Sequence, residues 1–342
     1  MKRTLQAVAT SPQFGLVVVI LLLSAALTLL AGTHIDRVSG QEVNSFLNRG
    51  TLLQVFTDAS FFAIMAVGAT VVIISGGIDL SVGAVYALSG VFMASVLRSA
   101  ELTGPEALVL GFGLACAVGI ACGLANGVLI CGLKVHPFII TLGSMMVFRG
   151  VAFVTTRAES ILVPGSLTEF AKATLGLGKG LYPVPLLLTL VVGGLGWLFL
   201  TRTAPGRQVF AIGGNEVASL YSGVPVSRVL VLVYAISGLC AGIAAYLGAS
   251  YYGSASSSDG QGYELLVIAS AVVGGASLRG GKGSAVSALL GALLIALFRQ
   301  AVRTLKFDQN YEQILIGCAI IVAVVLDRWS SRIGESRSTR SQ

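Results

Sequence analysis

The chain has 342 residues, of which 55% are apolar and only 11% are charged, less than half the charged share of an ordinary soluble domain. Its net charge is +7 and its mean hydropathy is +0.88. This composition excludes a soluble globular protein, a disordered chain and a disulfide-stapled secreted domain, and it predicts an all-α integral membrane protein that spans a lipid bilayer several times. The lysines and arginines form no stripe with interleaved aromatic residues, so we expect no nucleic-acid partner.

The apolar runs predict about ten transmembrane helices, because a helix crosses the hydrocarbon layer in about 20 residues. Since several runs are short, a range of eight to eleven is compatible with the sequence. In chain order the predicted spans are 14–31, 58–75, 82–97, 106–131, 138–156, 183–200, 229–248, 264–278, 283–298 and 311–327. The third, eighth and ninth are short enough to suggest tilted, broken or partly re-entrant helices.

The distribution of lysine and arginine predicts the orientation. Lys2 and Arg3 precede the first apolar run, which is long for a signal peptide, so we expect a retained first helix. An N-terminus inside gives the inner loops a net positive charge, as the positive-inside rule requires. The sequence then predicts a cytoplasmic N-terminus (1–13), one transmembrane domain (14–328) with a cytoplasmic loop at 201–228, and a cytoplasmic, disordered tail (329–342).

Two glycine-rich interruptions, residues 75–83 and 273–283, separate apolar runs without a long loop. Paired breaks of this kind often mark a transport path, where unwound backbone lines a cavity. Asp79 is the one acidic residue deep inside the first stretch. It is interpreted either as a cap of the helix that begins near Leu80 or as a substrate contact. Asn126, an amide within a span, either bridges helices or faces a polar channel.

Glycines at four-residue spacing predict close helix packing. Gly119, Gly123 and Gly127 lie in one span, and Gly238 and Gly242 lie in another. Small residues one turn apart let membrane helices approach each other closely.

Catalytic chemistry is missing from the sequence patterns. The nearest approach to a phosphate-binding loop, Gly281-Lys282-Gly283, has no hydroxyl after the lysine and lacks the earlier glycine. The sequence contains no nucleophile-elbow, zinc-protease or dinucleotide-binding motif. We therefore expect no enzymatic activity, no catalytic residue, no metal and no cofactor in this chain, and a solute path that is passive or powered by a partner.

Four motifs in a fixed order resemble bacterial ABC-transporter permeases of the ribose type, in the branched-chain amino acid/sugar permease superfamily. They are Ser75-Gly-Gly-Ile-Asp-Leu-Ser-Val-Gly83, Pro137-Phe-Ile-Ile-Thr-Leu-Gly-Ser-Met145 with Phe148-Arg149-Gly150, Ala211-Ile-Gly-Gly-Asn-Glu216 with Ala218 and Ser222-Gly223-Val224, and Tyr263-Glu-Leu265 leading into Val273-Gly-Gly-Ala-Ser-Leu278. The matches cover roughly residues 61–327.

This resemblance implies a fold similar to the ten-helix permease of vitamin B12 importers, and a monosaccharide as substrate. It implies a bacterial cytoplasmic (inner) membrane location and a dimer with a second copy or a paralogue. A cytoplasmic ABC ATPase would bind ATP and magnesium, and an extracytoplasmic sugar-binding protein would deliver the sugar. For the substrate path we single out Asp79, Ser81, Asn126 and Thr141. The binding protein is expected to dock on cations of the outer loops, namely Arg157, Lys172, Lys179, Arg303 and Lys306.

The resemblance also gives the cytoplasmic loop a role as the segment that docks on the ATPase. The residues carried over are Gly213, Gly214, Asn215, Glu216, Ala218, Ser222 and Gly223. Residues 215–222 can form two helical turns, with Asn215 as the N-cap and Glu216 in the first turn. Without the resemblance, a plain cytoplasmic loop is the simpler interpretation.

Two departures from the family pattern affect the identity of the sugar. Leu266 stands where an aspartate is common, and His136 stands where a small residue or proline is usual. A branched-chain amino-acid ABC permease and an ion-coupled secondary transporter are the alternatives; the second needs charges inside the membrane, which the spans almost lack.

Overall fold

The computed structural model of the chain describes residues 12–35, 40–178 and 180–308, and the positions 311, 314, 317, 318 and 321. In these residues the helices, in chain order, are α1 (Pro12–Leu30), α2 (Arg49–Ile74), α3 (Val82–Ser99), α4 (Gly104–Leu133), α5 (Pro137–Thr156), α6 (Gly165–Ala171), α7 (Val184–Arg202), α8 (Ala204–Gly214), α9 (Glu216–Tyr221), α10 (Val226–Tyr252), α11 (Tyr263–Val273) and α12 (Ala285–Thr304). Two pairs of short antiparallel strands complete the described structure: β1 (Thr33–Ile35) with β2 (Glu42–Asn44), and β3 (Ile161–Leu162) with β4 (Ser254–Ala255).

The predicted all-α membrane fold is confirmed, with a correction to the helix count. In the described residues, eight helices are long and apolar enough to cross a membrane: α1 to α5, α7, α10 and α12. The eighth predicted span corresponds to α11, whose 11 residues cover only roughly 16 Å at 1.5 Å per residue. It is too short to cross because the glycine break at residue 274 ends it. The tenth predicted span, 311–327, lies almost wholly outside the described residues.

The third and ninth predicted spans, which were expected to be tilted, broken or partly re-entrant, are unbroken helices in the described structure, and their tilt stays a prediction. They are α3, with 18 residues, and α12, with 20. Each begins directly after a glycine break, and the break rather than the helix contains the irregular backbone. The predicted N-terminal segment (1–13) and the tail (329–342) fall outside the described chain, except for positions 12 and 13 in α1.

Local sequence sets several helix ends. Asn48 precedes α2, and its side chain accepts a hydrogen bond of 2.8 Å from the backbone N–H of Thr51. Thr203 caps α8 in the same way, with 3.0 Å to the N–H of Gly206. Side-chain oxygens at this position satisfy amide groups that have no partner within the helix. Pro137 begins α5, where a missing N–H costs nothing.

The core is built around α2, whose second half is buried on all sides. It packs against α7, α10, α11 and α12. In contrast, α1 and α5 bury only 17% and 11% of their apolar spans, so most of their surface is left for lipid or another chain.

The predicted glycine packing is confirmed at the contact between α4 and α10. A Cβ atom on Gly119 or Gly123 would overlap backbone carbonyl atoms of α10, and one on Gly127 would lie 2.7 Å from Val231 Cα. Reciprocally, a Cβ on Gly238 or Gly242 would overlap carbonyls of α4. The two backbones therefore touch directly, which holds one wall of the first glycine break in place.

Candidate functional site

The first glycine break contains part of a buried polar cluster that joins the break to three helices. We call Asp79, Ser81, Asn126, Thr141 and Ser237 the buried cluster. Asp79 Oδ1 accepts hydrogen bonds from the backbone N–H of Ser81 (2.9 Å) and from its hydroxyl (2.6 Å). Asp79 Oδ2 accepts one from the hydroxyl of Ser237 in α10 (2.8 Å). The carboxylate is 3% exposed, so these donors replace the water that it has lost.

Asn126 and Thr141 connect the cluster to α4 and α5. The amide of Asn126 donates to the Ser81 hydroxyl (2.8 Å). The Thr141 hydroxyl lies within hydrogen-bond distance of the carbonyl of Ile78 in the break (3.2 Å) and of the carbonyl of Pro137 in its own helix (3.0 Å). Both side chains are completely buried. The structure thus brings together all four residues that were singled out for the substrate path.

The geometry bears on both interpretations of Asp79. Its carboxylate accepts the N–H of Ser81, the residue directly before α3, and Ser81 itself provides no side-chain cap in the described structure. Asp79 therefore stabilises the start of α3, as the capping interpretation requires. Because the cluster is closed to solvent, direct contact of Asp79 with substrate stays a prediction.

One buried polar atom in the cluster and one beside it have no hydrogen-bond partner in the described part of the chain. They are Asn126 Oδ1 and the hydroxyl of Tyr234. Tyr234 is close to the break, since a Cβ on Gly77 would lie 2.5 Å from its hydroxyl oxygen. Unpaired buried polar atoms are rare and costly, so the cluster has unused hydrogen-bonding capacity.

The short helix predicted for residues 215–222 is present as α9. Asn215 precedes it, and its side chain accepts a hydrogen bond of 2.9 Å from the N–H of Ala218, the expected N-cap. Glu216 is the first helical residue and is exposed. Val217, Leu220 and Tyr221 are also exposed, by 64%, 60% and 87%. Apolar side chains exposed together on a short polar loop mark a surface for a partner.

The other end of this loop packs against both glycine breaks at once. We call Ile74, Gly213, Gly280 and Gly281 the glycine junction. The N–H of Gly281, in the second break, donates to the carbonyl of Ile74 at the end of α2 (2.8 Å). Gly213, in α8, lies against the same two groups: a Cβ there would overlap the Ile74 carbonyl and lie 2.6 Å from Gly281 N. Only a glycine fits, so the loop is joined to the ends of both breaks.

The other two carried-over glycines of the loop, Gly214 and Gly223, differ in whether the structure requires a glycine. A Cβ atom on Gly214 would have no neighbour within 4 Å among the described residues, so packing does not require a glycine there. Gly223 has a φ angle of +82°, which favours glycine and lets the chain turn after α9. Ser222 closes the end of α9, with its hydroxyl 2.9 Å from the carbonyl of Ala218.

Comparison with known proteins decides the family. Residues 51–324 match the family described as the branched-chain amino acid transport system / permease component. The chain belongs to this permease family. No solved structure matches the permease significantly.

Three curated relatives share most of their length with the permease. It is 38% identical over 287 residues to the ribose import permease protein of Bacillus subtilis, covering 84% of this chain and 87% of the relative. It is 36% identical to the D-allose transport system permease protein of Escherichia coli K12, over 84% and 86%. It is 32% identical to the fructose import permease protein of Rhizobium meliloti, over 84% and 80%. The resemblance drawn from the four motifs is confirmed.

Sequence reasoning missed three features of the site. Ser237 completes the shell of Asp79, but a single serine in an apolar span gave no signal without the fold. The role of Ile74 and Gly281 depends on backbone contacts between distant segments. The exposed apolar face of α9 could have been found, because Val217, Leu220 and Tyr221 have helical spacing on a short polar loop.

Proposed function

We propose that the chain is the membrane-spanning permease subunit of an ATP-powered importer for a monosaccharide. The observation that carries the proposal is the set of three relatives, each named as a sugar permease and each aligned over at least 80% of its length. In this proposal an extracytoplasmic binding protein delivers the sugar, and two permease chains, identical or paralogous, form the path. The partner ATPase binds ATP and magnesium.

The contacts of α8 and α9 support a coupling role for residues 201–228. The face of α9 formed by Val217, Leu220 and Tyr221 is exposed and apolar, with Glu216 beside it. Such a surface suits a groove in the ATPase. Through Gly213, α8 is packed against the end of α2 and the second break. If α9 is displaced and α8 moves with it, both glycine breaks must shift or become strained, because close-packed backbones cannot move independently.

The orientation remains part of the proposal. With both termini in the cytoplasm of a bacterium, α8 and α9 lie on the inner side and α6 on the outer side. Of the cations expected to meet the binding protein, Arg303 pairs with Asp58 (2.7 Å) and Lys172 lies over the Tyr251 ring (5.3 Å to the centroid). Arg157 and Lys306 are exposed, and Lys179 lies outside the described residues.

The description of the family favours one further candidate, a permease for branched-chain amino acids. The three curated relatives favour a sugar over this candidate. Uptake of leucine, isoleucine or valine by the assembled complex, without uptake of any monosaccharide, would decide for the amino acid.

Affinity purification tests the partners. The tagged permease is extracted from native membranes in mild detergent, and the co-purifying proteins are identified by mass spectrometry. We expect an ABC ATPase, and with it a periplasmic-type binding protein or a second permease. Repeated recovery of the permease without any ATPase, including after chemical cross-linking in the membrane, would contradict the proposal.

A charge reversal at Glu216 tests the coupling role. We expect Glu216→Arg to reduce co-purification of the ATPase and sugar uptake by at least about tenfold, because a mismatched charge at an interface costs several kcal/mol. Thermal stability should not change, since the side chain is exposed. Glu216→Gln, which keeps the size of the side chain, should have the smaller effect. Normal uptake by Glu216→Arg would contradict the docking role.

A further inference from the structure

After α10 ends at Tyr252, the chain turns back along α3. We call residues 253–262 the re-entrant segment. Ala255 lies beside Gly90, since a Cβ on Gly90 would be 3.6 Å from Ala255 Cβ. Gly260 lies beside Gly83, because a Cβ on Gly83 would overlap the Gly260 carbonyl. Gly90 and Gly83 are two turns apart, so the segment runs about 10 Å along α3 towards the buried cluster.

The depth of this segment is given by the helix beside it. Gly83 is in the first turn of α3, which places Gly260 roughly 24 Å from the end of α3 at Ser99, at 1.5 Å per residue. Helix α3 is one of the helices long and apolar enough to cross a membrane. The re-entrant segment therefore reaches deep into the layer that the transmembrane helices span.

The segment is polar and partly exposed at this depth. Ser258 and Gln261 are exposed, and Ser256 and Asp259 are half-buried. Irregular backbone and polar side chains are tolerated at the depth of the hydrocarbon only where protein buries them or where they line a water-filled cavity. Lipid is therefore excluded as the neighbour of Ser258 and Gln261.

Arg149, in the middle of α5, holds the segment and keeps hydrogen-bonding capacity to spare. Its Nη1 donates to the carbonyls of Ser257 (2.8 Å) and Asp259 (2.5 Å). In the described part of the chain, its Nε and Nη2 hydrogens have no acceptor. A charged side chain within a transmembrane helix is expensive, and such residues commonly mark a substrate or ion pathway.

Glu264, the first acidic residue after the segment, carries the opposite charge to Arg149 and lies near it. A Cβ on Gly83 would lie 2.7 Å from Glu264 Oε2, which places the carboxylate over the first turn of α3. It is near enough to Arg149 to interact electrostatically. The two form no ion pair in the described structure. A guanidinium with free donors and a carboxylate with free acceptors thus lie on the same polar wall.

We infer that the re-entrant segment, Arg149 and Glu264 line the substrate path and hydrogen-bond the hydroxyl groups of a passing polyhydroxylated substrate. A hydroxyl group both donates and accepts, so it can bridge the guanidinium donors and the carboxylate acceptors. Serine, glutamine and backbone groups add neutral partners along the wall. The inference rests on the proposed function for the identity of the substrate, and on geometry alone for the position of the path.

Cysteine labelling tests the position of the path. In a variant whose five native cysteines are replaced by serine or alanine, Ser258→Cys is compared with Val191→Cys. Val191 is 57% exposed in the middle of α7 and is expected to face lipid. The probe is a charged, membrane-impermeant methanethiosulfonate, applied to membranes that contain the complete transporter. We expect Ser258→Cys to react at least about tenfold faster, because the thiolate forms only where water reaches the sulfur.

The uptake readout separates the inference from the proposed function. Labelling needs no sugar, so equal and slow reaction of both cysteines overturns the inference whether or not the complex imports sugar. Spontaneous disulfide cross-linking of Ser258→Cys between two permease chains, with slow labelling, would show that a second copy buries the segment, and also overturns it. If labelling is fast but D-ribose, D-allose and D-fructose are neither imported nor protective, the path stands and the proposed sugar substrate fails.

Discussion

The buried cluster and the re-entrant segment lie beside the same first turn of α3, but the charged groups at the two places differ in burial and in how many of their hydrogen bonds are satisfied. Asp79 is 3% exposed, and three hydrogen bonds satisfy its carboxylate. Arg149 and Glu264 are half-buried and keep donors and acceptors free within the described chain. A charge whose partners are all internal stabilises the fold, whereas a half-buried charge with spare hydrogen-bonding capacity can bind a ligand. Asp79 is therefore a structural residue, although its charge stands out in the sequence. Arg149 and Glu264 form the candidate site.

The largest effect should follow from removing the buried carboxylate. We expect Asp79→Leu to lower the free energy of unfolding by about 3 kcal/mol, because the N–H and hydroxyl of Ser81 and the hydroxyl of Ser237 lose their acceptor while buried. The loss is measured as the fraction of monodisperse protein that remains after heating in detergent. Asp79→Asn retains one acceptor and should lose less. Full stability of Asp79→Leu would show that the cluster is not a scaffold.

The next largest effect concerns the glycine junction, where the break that carries the cluster begins. We expect Gly213→Ala to cost about 1–3 kcal/mol, because the added methyl group overlaps the Ile74 carbonyl and the Gly281 amide. Gly214→Ala is the matched control, since the described residues leave space for its methyl group. Uptake per folded molecule is measured for both. Equal behaviour of the two variants would show that the junction does not constrain the breaks.

The smallest effect on stability, and the sharpest test of the comparison, is expected at Glu264. We expect Glu264→Gln to change the free energy of unfolding by less than about 0.5 kcal/mol, as is usual for groups without an internal partner. Sugar uptake at low concentration should nevertheless fall by about tenfold, because a charged acceptor bonds more strongly than a neutral one. Glu106→Gln, at an exposed position in the first turn of α4, is the control. Lower stability with unchanged uptake per folded molecule would make Glu264 a structural residue.

Much of this arrangement could be predicted, because the length and polarity of each apolar run directly indicate whether it forms a membrane-spanning helix. The apolar runs gave α1 to α5, α7, α10 and α12, most of them within four residues at each end, although α2 begins nine residues before its predicted start and α12 ends six residues after its predicted end. The motifs placed the N-cap of α9 at Asn215. The sequence indicated that the eighth span, α11, is short and that a glycine break follows near residue 273, but it did not show that the helix ends at Val273 without crossing. For this reason one of the ten predicted spans is not a crossing helix, and the eight crossing helices of the described residues lie within the predicted range of eight to eleven.

The sites were predicted less completely, because they depend on contacts between distant segments. Asp79, Ser81, Asn126 and Thr141 do meet, but no sequence pattern shows that they are closed to solvent. Arg149 was noted only as part of a motif. Its partners are backbone carbonyls more than 100 residues away. Because every residue has a backbone carbonyl, the sequence does not indicate which ones accept a hydrogen bond. The re-entrant path of residues 253–262 was invisible for the same reason, since its glycines and serines also suit an ordinary outer loop.

We propose that this permease imports a sugar with energy from ATP hydrolysed by a partner, and this import can be measured directly. The direct measurement is uptake of radiolabelled D-ribose, D-allose and D-fructose by proteoliposomes that contain the permease and its co-purified ATPase, with the binding protein outside. We expect accumulation of at least one sugar only when ATP is enclosed, and no loss when ionophores dissipate the ion gradients. Uptake that proceeds without ATP and disappears with the ion gradient would contradict the claim and identify a secondary transporter.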